Sequence, residues 1–173
     1  MPTKIARPDK DEYAPHFEIY ISEVKNEDAI EALENGKVMF LDFLRALPVD
    51  RLDYRYKEGK WSTREVIIHM LDVERIFAYR ALRFSRNDKT PVAGFDDDQY
   101  IAESNATDRT INSLIEEYAA LRQSTIELFK NITPEMSRRT GIANGKEVSV
   151  RALGYIIPGH EIHHLSVIKE RYM

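Results

Sequence analysis

The sequence predicts an all-α protein, a four-helix bundle with a crossover connection, on three observations. Four stretches carry apolar residues at helical spacing. Seven glycines and seven prolines in 173 residues are too few for a barrel made of many tight turns. Two extended connections, Pro91 to Ala106 and Gly141 to Val150, separate helices long enough to lie antiparallel, which favours a crossover over a set of simple hairpins.

The length suits one domain over residues 1–173, with 1–25 as an N-terminal extension packing on the bundle, and 43% hydrophobic residues suffice for a core without cross-links. Zero cysteines exclude disulfides, thiolate zinc sites and cysteine nucleophiles together, and fit a reducing cytoplasm. Lys plus Arg number 25 against 29 Asp plus Glu, a net charge of −4 with no basic block, so nucleic acid and anionic membranes are not expected partners. No apolar run reaches the length of a membrane span, and the opening MPTKIARPDKDEY lacks the apolar stretch of a signal peptide.

After a short piece around Pro15 to Val24, the first long helix is expected to start at Asn26. Asn can cap, and Glu27 and Asp28 favour the positive N-terminal end. Its apolar face runs Ile30, Leu33, Met39 or Phe40, Leu44 and Leu47, Pro48 stops it, and Gly36 reads as a weak point within it. The second helix has the best start signal in the chain: Ser62 and Glu65 form a capping-box pattern, with Trp61 stapled onto Val66. It carries Val66, His69, Val73 and Ile76 on one stripe and ends near Asn87.

A third helix from about Thr107 aligns Ile111, Leu114, Ile115, Tyr118, Leu121, Leu128 and Phe129, and Thr133-Pro134 ends it or opens a brief turn. Asn144-Gly145 between short apolar flanks predicts a small hairpin. Ser149 then caps the last helix.

Five histidines occur, and three of them crowd into GHEIHHLSVIKERY at the end of the chain. On a helix turning about 100° per residue, His160 and His164 lie one turn apart on the stripe of Leu153, Ile156 and Val167. His69 sits on the buried stripe of the second helix. An i, i+4 His pair plus a third imidazole from a facing helix can hold a divalent metal at about 2 Å with positions left open. Imidazole suits zinc, nickel and copper. The plainer alternative is that these are hydrogen-bonded core histidines. His163, three residues from His160, stays open as the partner, although periodicity prefers His164. Pro158, between Gly154 and Gly159, could kink the last helix just before His160.

Other polar residues carry weaker signals. Glu74 lies about 140° around the helix from His69 and is expected to face outward. Asp72 could orient a ligand, or form an ordinary salt bridge. Asp96-Asp97-Asp98 lacks the spacing of a calcium loop and reads as a solvated loop or helix cap. Tyr54, Tyr56 and Trp61 could line a pocket mouth or pack under the loop. No serine elbow, phosphate loop or dinucleotide fingerprint appears.

Taken in order, Gly59-Lys60-Trp61-Ser62 leading to Glu65 and His69, Asp72-Val73-Glu74-Arg75, Tyr79-Arg80-Ala81-Leu82, Asn144-Gly145-Lys146, Val150-Arg151-Ala152-Leu153 and Gly159-His160-Glu161-Ile162-His163-His164 resemble the DinB-like superfamily, in its YfiT and bacillithiol transferase-type branch. No single motif is specific; the ordered set is, and it spans nearly the whole chain from the first long helix. The resemblance implies a four-helix bundle with a crossover and a metal triad at His69, His160 and His164, with His163 as the outer residue. It also implies zinc or nickel as the divalent metal ion, a homodimer, and a low-molecular-weight thiol as cosubstrate in some members. The expected function is therefore a metal-dependent transferase, of thiol S-transferase type, or a hydrolase acting on a small-molecule substrate. The alternative is a non-catalytic metal-binding bundle that works through partner contacts, in a stress response for example.

Overall fold

The computed structural model describes residues 4–173. Its helices are α1 (Glu18–Ile21), α2 (Ala29–Ala46), α3 (Thr63–Ser85), α4 (Asp97–Ala102), α5 (Ile111–Lys130), α6 (Pro134–Ser137) and α7 (Val150–Arg171), and a hairpin of β1 (Thr140–Ala143) and β2 (Lys146–Ser149) precedes α7. No helix among the described residues is long and apolar enough to cross a membrane.

The local start signals act as the residues dictate, with two shifts. Ser62 accepts from the Glu65 amide while the Glu65 carboxylate accepts from the Ser62 amide, so the capping box closes. Ser149 caps α7 by accepting from Ala152 N. Asn144 and Gly145 both take positive φ, as a two-residue hairpin turn demands, and pair Thr140 with Ser149 through Ala143 with Lys146. By contrast, α2 starts at Ala29 under an Asp28 cap rather than at Asn26. Asp28 Oδ1 serves two donors, Ile30 N and the distant Ile5 N, which no local pattern reveals. Helix α5 starts at Ile111 under Thr110, because Ala106–Asp108 form a separate 3₁₀ turn after Asn105 at φ +53°.

The four long helices form a ring in which α7 packs on α2 and α3, and α5 packs on the same two. Consecutive helices α2 and α3 therefore stand diagonally, as do α5 and α7, and the crossing falls to residues 47–62 and 131–149. The long connection from α3 to α5, which reads from sequence as one of the extended spans, joins neighbours instead and folds back on itself through α4. Val92 from that connection bonds alongside β1, accepting from Asn144 N and donating to Ile142 O, both at 2.9 Å.

Apolar packing falls into two clusters, one around Phe84, Phe129, Leu153 and Tyr155, the other around Phe40, Ile67, Leu71 and Leu165. Between them lies a polar layer that includes Glu74, which corrects the outward reading. Its carboxylate accepts from Arg122 Nε and Nη2 at 2.9 Å each, and Glu161 accepts from the same guanidinium at 3.2 and 2.7 Å. Tyr118 donates to Glu161 at 2.7 Å. Helix α3 is flanked by both α5 and α7, so a residue 140° from one inward stripe faces the other neighbour. Gly36 is a fitted gap rather than a weak point: a Cβ there would stand 2.5 Å from Glu161 Oε1.

The N-terminal segment lies against the bundle: Ala29 N donates to Ile5 O, Arg7 donates to Ile21 O, and Arg151 of α7 binds both Asp9 and Glu12. Helix α1 crosses α7 at Gly159, where a Cβ would meet Tyr20 O at 2.1 Å. Gly154 makes similar room for Phe129. These glycines serve close approach, and α7 runs through Pro158 as one continuous helix.

Candidate metal centre

Helices α3 and α7 bring His69, His160 and His164 together at the level of the polar layer. One ring nitrogen from each lies within 4.8 Å of the others, and His69 Nε2 stands 3.1 Å from His160 Nε2. His69 and His160 are buried and His164 is half-buried. His163 points away, its ring edge-on to Tyr20 at 5.4 Å between centroids. Of the two candidates on the last helix, His164 lies in this cluster and His163 does not.

Burial governs the electrostatics. It pushes His69 down to about 4 and His164 down to about 3, the latter helped by the neighbouring His69 and His163. His160 falls well below the usual imidazole range for the same reason, with His164 adding to the effect. All three are therefore neutral near pH 7, the form in which an imidazole offers a lone pair. Three neutral nitrogens converging in a low-dielectric layer are a donor set that fits a divalent cation.

Asp97 Oδ1 lies 3.4 Å from His69 Nδ1, on the side of the ring away from the cluster, where it can orient His69 so that Nε2 faces His160. Asp96, by accepting from Gln99 N, caps α4 and so places Asp97 in the first helical turn. The reading of the aspartate trio as a helix cap holds for Asp96, but it missed Asp97. The sequence carries no periodic signal that a six-residue helix will fold back over α3. Tyr20, whose ring lies edge-on to His160 at 5.2 Å, was missed for the same reason. Asp72 borders a different surface hollow with Gln99 and Arg109 and does not reach the histidines.

A cavity of about 250 Å³ opens beside the cluster, with His69 and His160 in its wall, among Phe17, Tyr20, Phe77 and Phe95. His164 faces a second hollow of about 310 Å³ on the other side, which Tyr56 and Trp61 border. Trp61 also packs on His69 at 4.9 Å, while Tyr54 and Tyr56 meet Tyr172 edge-on. The aromatic trio thus divides between pocket mouth and packing.

Comparison with known proteins agrees with this architecture. A protein of Oceanobacillus iheyensis, provisionally named a metal-dependent hydrolase, is 26% identical over 129 residues, which cover 73% of either chain. YfiT from Bacillus subtilis, described as a probable metal-dependent hydrolase with an unusual four-helix bundle topology, superposes with a TM-score of 0.71 at 17% identity, over 86% of this chain and 89% of that one. At that identity the likeness concerns the fold. The DinB superfamily model matches residues 32–168, from the first turn of α2 to the last turns of α7. The match takes in all four long helices and all three clustered histidines, and the chain belongs to the DinB superfamily.

Proposed function

We propose that the protein is a metal-dependent enzyme in which His69, His160 and His164 hold one divalent cation, zinc or nickel, at the wall of a small-molecule cavity. The observation that carries this reading is the meeting of three neutral imidazoles, two buried and one half-buried, with a cavity open on the His69 and His160 side. Three protein ligands leave coordination positions free, as catalytic rather than structural zinc sites do. A cation there supplies Lewis acidity and lowers the pKa of a thiol or water that reaches it, in a chain with no cysteine to act as nucleophile.

The residues do the rest. Asp97 fixes the ring orientation of His69, Tyr20 and Trp61 wall off solvent, and the Glu74–Arg122–Glu161 network holds α3, α5 and α7 in the register that makes His69 and His160 meet. The related proteins carry hydrolase names; the resemblance of the sequence to bacillithiol transferase-type proteins adds transfer of a small thiol as the finer possibility. Both are reactions of a small electrophile with an activated nucleophile. A homodimer in the cytoplasm completes the proposal.

The deciding experiment is metal analysis of tag-free protein, followed by parallel screens for ester or amide hydrolysis and for thiol-dependent conjugation. Metal-dependent turnover that His69→Ala and His164→Ala abolish supports the reading. Tightly held metal with no turnover in either screen replaces it with the non-catalytic metal-binding bundle.

A further inference from the structure

Three arginines are buried, and two of them meet carboxylates. Arg122 is 0% exposed and pairs with Glu74 and Glu161; Arg151 pairs with Asp9 and Glu12. Arg80, on α3, is only 5% exposed and has no acidic partner among the described residues. Its side chain makes one hydrogen bond, from Nη2 to the Ala93 carbonyl at 3.2 Å, and Nε has no partner at all. The guanidinium lies 5.3 Å from the Phe77 ring centroid and 5.7 Å from that of Phe95. Aromatic faces attract a cation but do not neutralise it, and a buried charge is ordinarily paired. Burial accordingly lowers the pKa of Arg80, with no compensating neighbour.

Arg80 lines the same cavity as His69 and His160. It sits eleven residues, about three helical turns, along α3 from His69, so the cavity has a cationic end and an imidazole end with aromatic walls between. We propose that this cavity takes a small organic carboxylate, whose charged group pairs with Arg80 while its apolar body lies along Phe77 and Phe95 and its reactive end points toward His69 and His160. This deepens the reading of the cavity as a substrate site and rests on it, but pairing at Arg80 needs no metal. The charge balance favours a monoanion. Arg80 is the one buried cation in the wall, while Lys146, Asp97 and Glu147 at its border are all exposed and screened by solvent, so the buried end offers a single positive charge for a single negative one.

The test uses metal-stripped full-length protein, in which no metal can hold the anion, and titrates phenylacetate, its neutral isostere phenylacetamide and inorganic phosphate at pH 7.5 by calorimetry. Wild type is expected to bind phenylacetate at least about tenfold tighter than phenylacetamide, the scale of one charge-assisted hydrogen bond, and to ignore phosphate. Arg80→Gln should erase the preference and Arg80→Lys should restore part of it, while both take up zinc as wild type does. Phenylacetate should also raise the melting temperature of wild type where phenylacetamide does not, a comparison that needs no variant to fold. Equal responses to acid and amide, including none to either, overturn the proposal, as does a preference that survives Arg80→Gln. Tighter binding of phosphate than of phenylacetate overturns the monoanion assignment. Loss of zinc uptake in wild type with the acid preference intact refutes the metal reading alone.

Discussion

Gly36→Ala sets two effects of opposite sign against each other. In the interior of α2, replacing Gly by Ala should stabilise by about 0.5–1 kcal/mol through backbone entropy and helix propensity. The new methyl, however, would stand 2.5 Å from Glu161 Oε1 and 3.0 Å from Arg122 Nη1. Those atoms end flexible side chains, but they are not free to move. Arg122 Nη1 donates to Glu161 Oε1 at 3.2 Å, and the other carboxylate oxygen is held by Arg122 Nη2 and Tyr118. Relieving the clash means losing at least one charged hydrogen bond in a buried network, at about 1.5–3 kcal/mol. The steric term wins, and a net destabilisation of about 1–2 kcal/mol is expected. Equilibrium urea unfolding should show a lower midpoint with an unchanged slope. In a Glu161→Ala background the 2.5 Å clash is gone and only Arg122 Nη1 at 3.0 Å remains, on a guanidinium no longer held by Glu161, so the same substitution should cost less or turn stabilising. Stabilisation of the wild-type background by Gly36→Ala, or an unchanged effect in Glu161→Ala, refutes the argument that the network needs this gap.

His69→Ala, His160→Ala and His164→Ala should each abolish tight zinc or nickel uptake measured by equilibrium dialysis, whereas His163→Ala should leave most of it; the reverse for His163 and His164 means the cluster is misassigned. Asp97→Asn should weaken uptake by about 10–100-fold, the usual effect of losing a carboxylate that orients a ligating imidazole, and an unchanged affinity removes Asp97 from the site. Metal-free protein should lose stability as pH falls below about 6.5: the unfolded chain then protonates imidazoles that the fold keeps neutral down to about 4 at His69 and about 3 at His164. The stability is complete above 6.5 and falls by up to about 1.4 kcal/mol per pH unit per imidazole, so His69→Gln/His164→Gln should show a flatter profile in urea titrations from pH 7 to 5, and parallel profiles contradict the burial argument. Chelation should lower the melting temperature without loss of helical circular dichroism at 25 °C, because two apolar clusters hold the bundle without metal; a cation at a hundredfold excess over Kd contributes only about 2.7 kcal/mol.

What could be read along the chain is what short-range geometry decides. The Ser62–Glu65 box, the Ser149 cap and the Asn144-Gly145 turn each involve residues within four positions of one another, so residue type and backbone dihedrals suffice. The histidines of α7 and their partner on α3 were legible in part: helical spacing puts His160 and His164 one turn apart but leaves His163 open, and the family resemblance supplied the set His69, His160 and His164. Tertiary structure decided the rest, wherever a residue's surroundings come from a remote segment. Asp28 caps α2 in place of Asn26 because it also receives Ile5, and Glu74 turns inward because α5 presents Arg122 to it. From Val150 to Glu161 every residue of α7 is buried, so no single apolar stripe marks its inward face, and the cluster took its third member from the position of His69. Asp97, Tyr20 and Arg80 reach the site only through the folding back of α4 and α1 and the closure of residues 91–95 over α3. Such contacts are set by how helices pack across a bundle, over distances in sequence that neither periodicity nor capping can span.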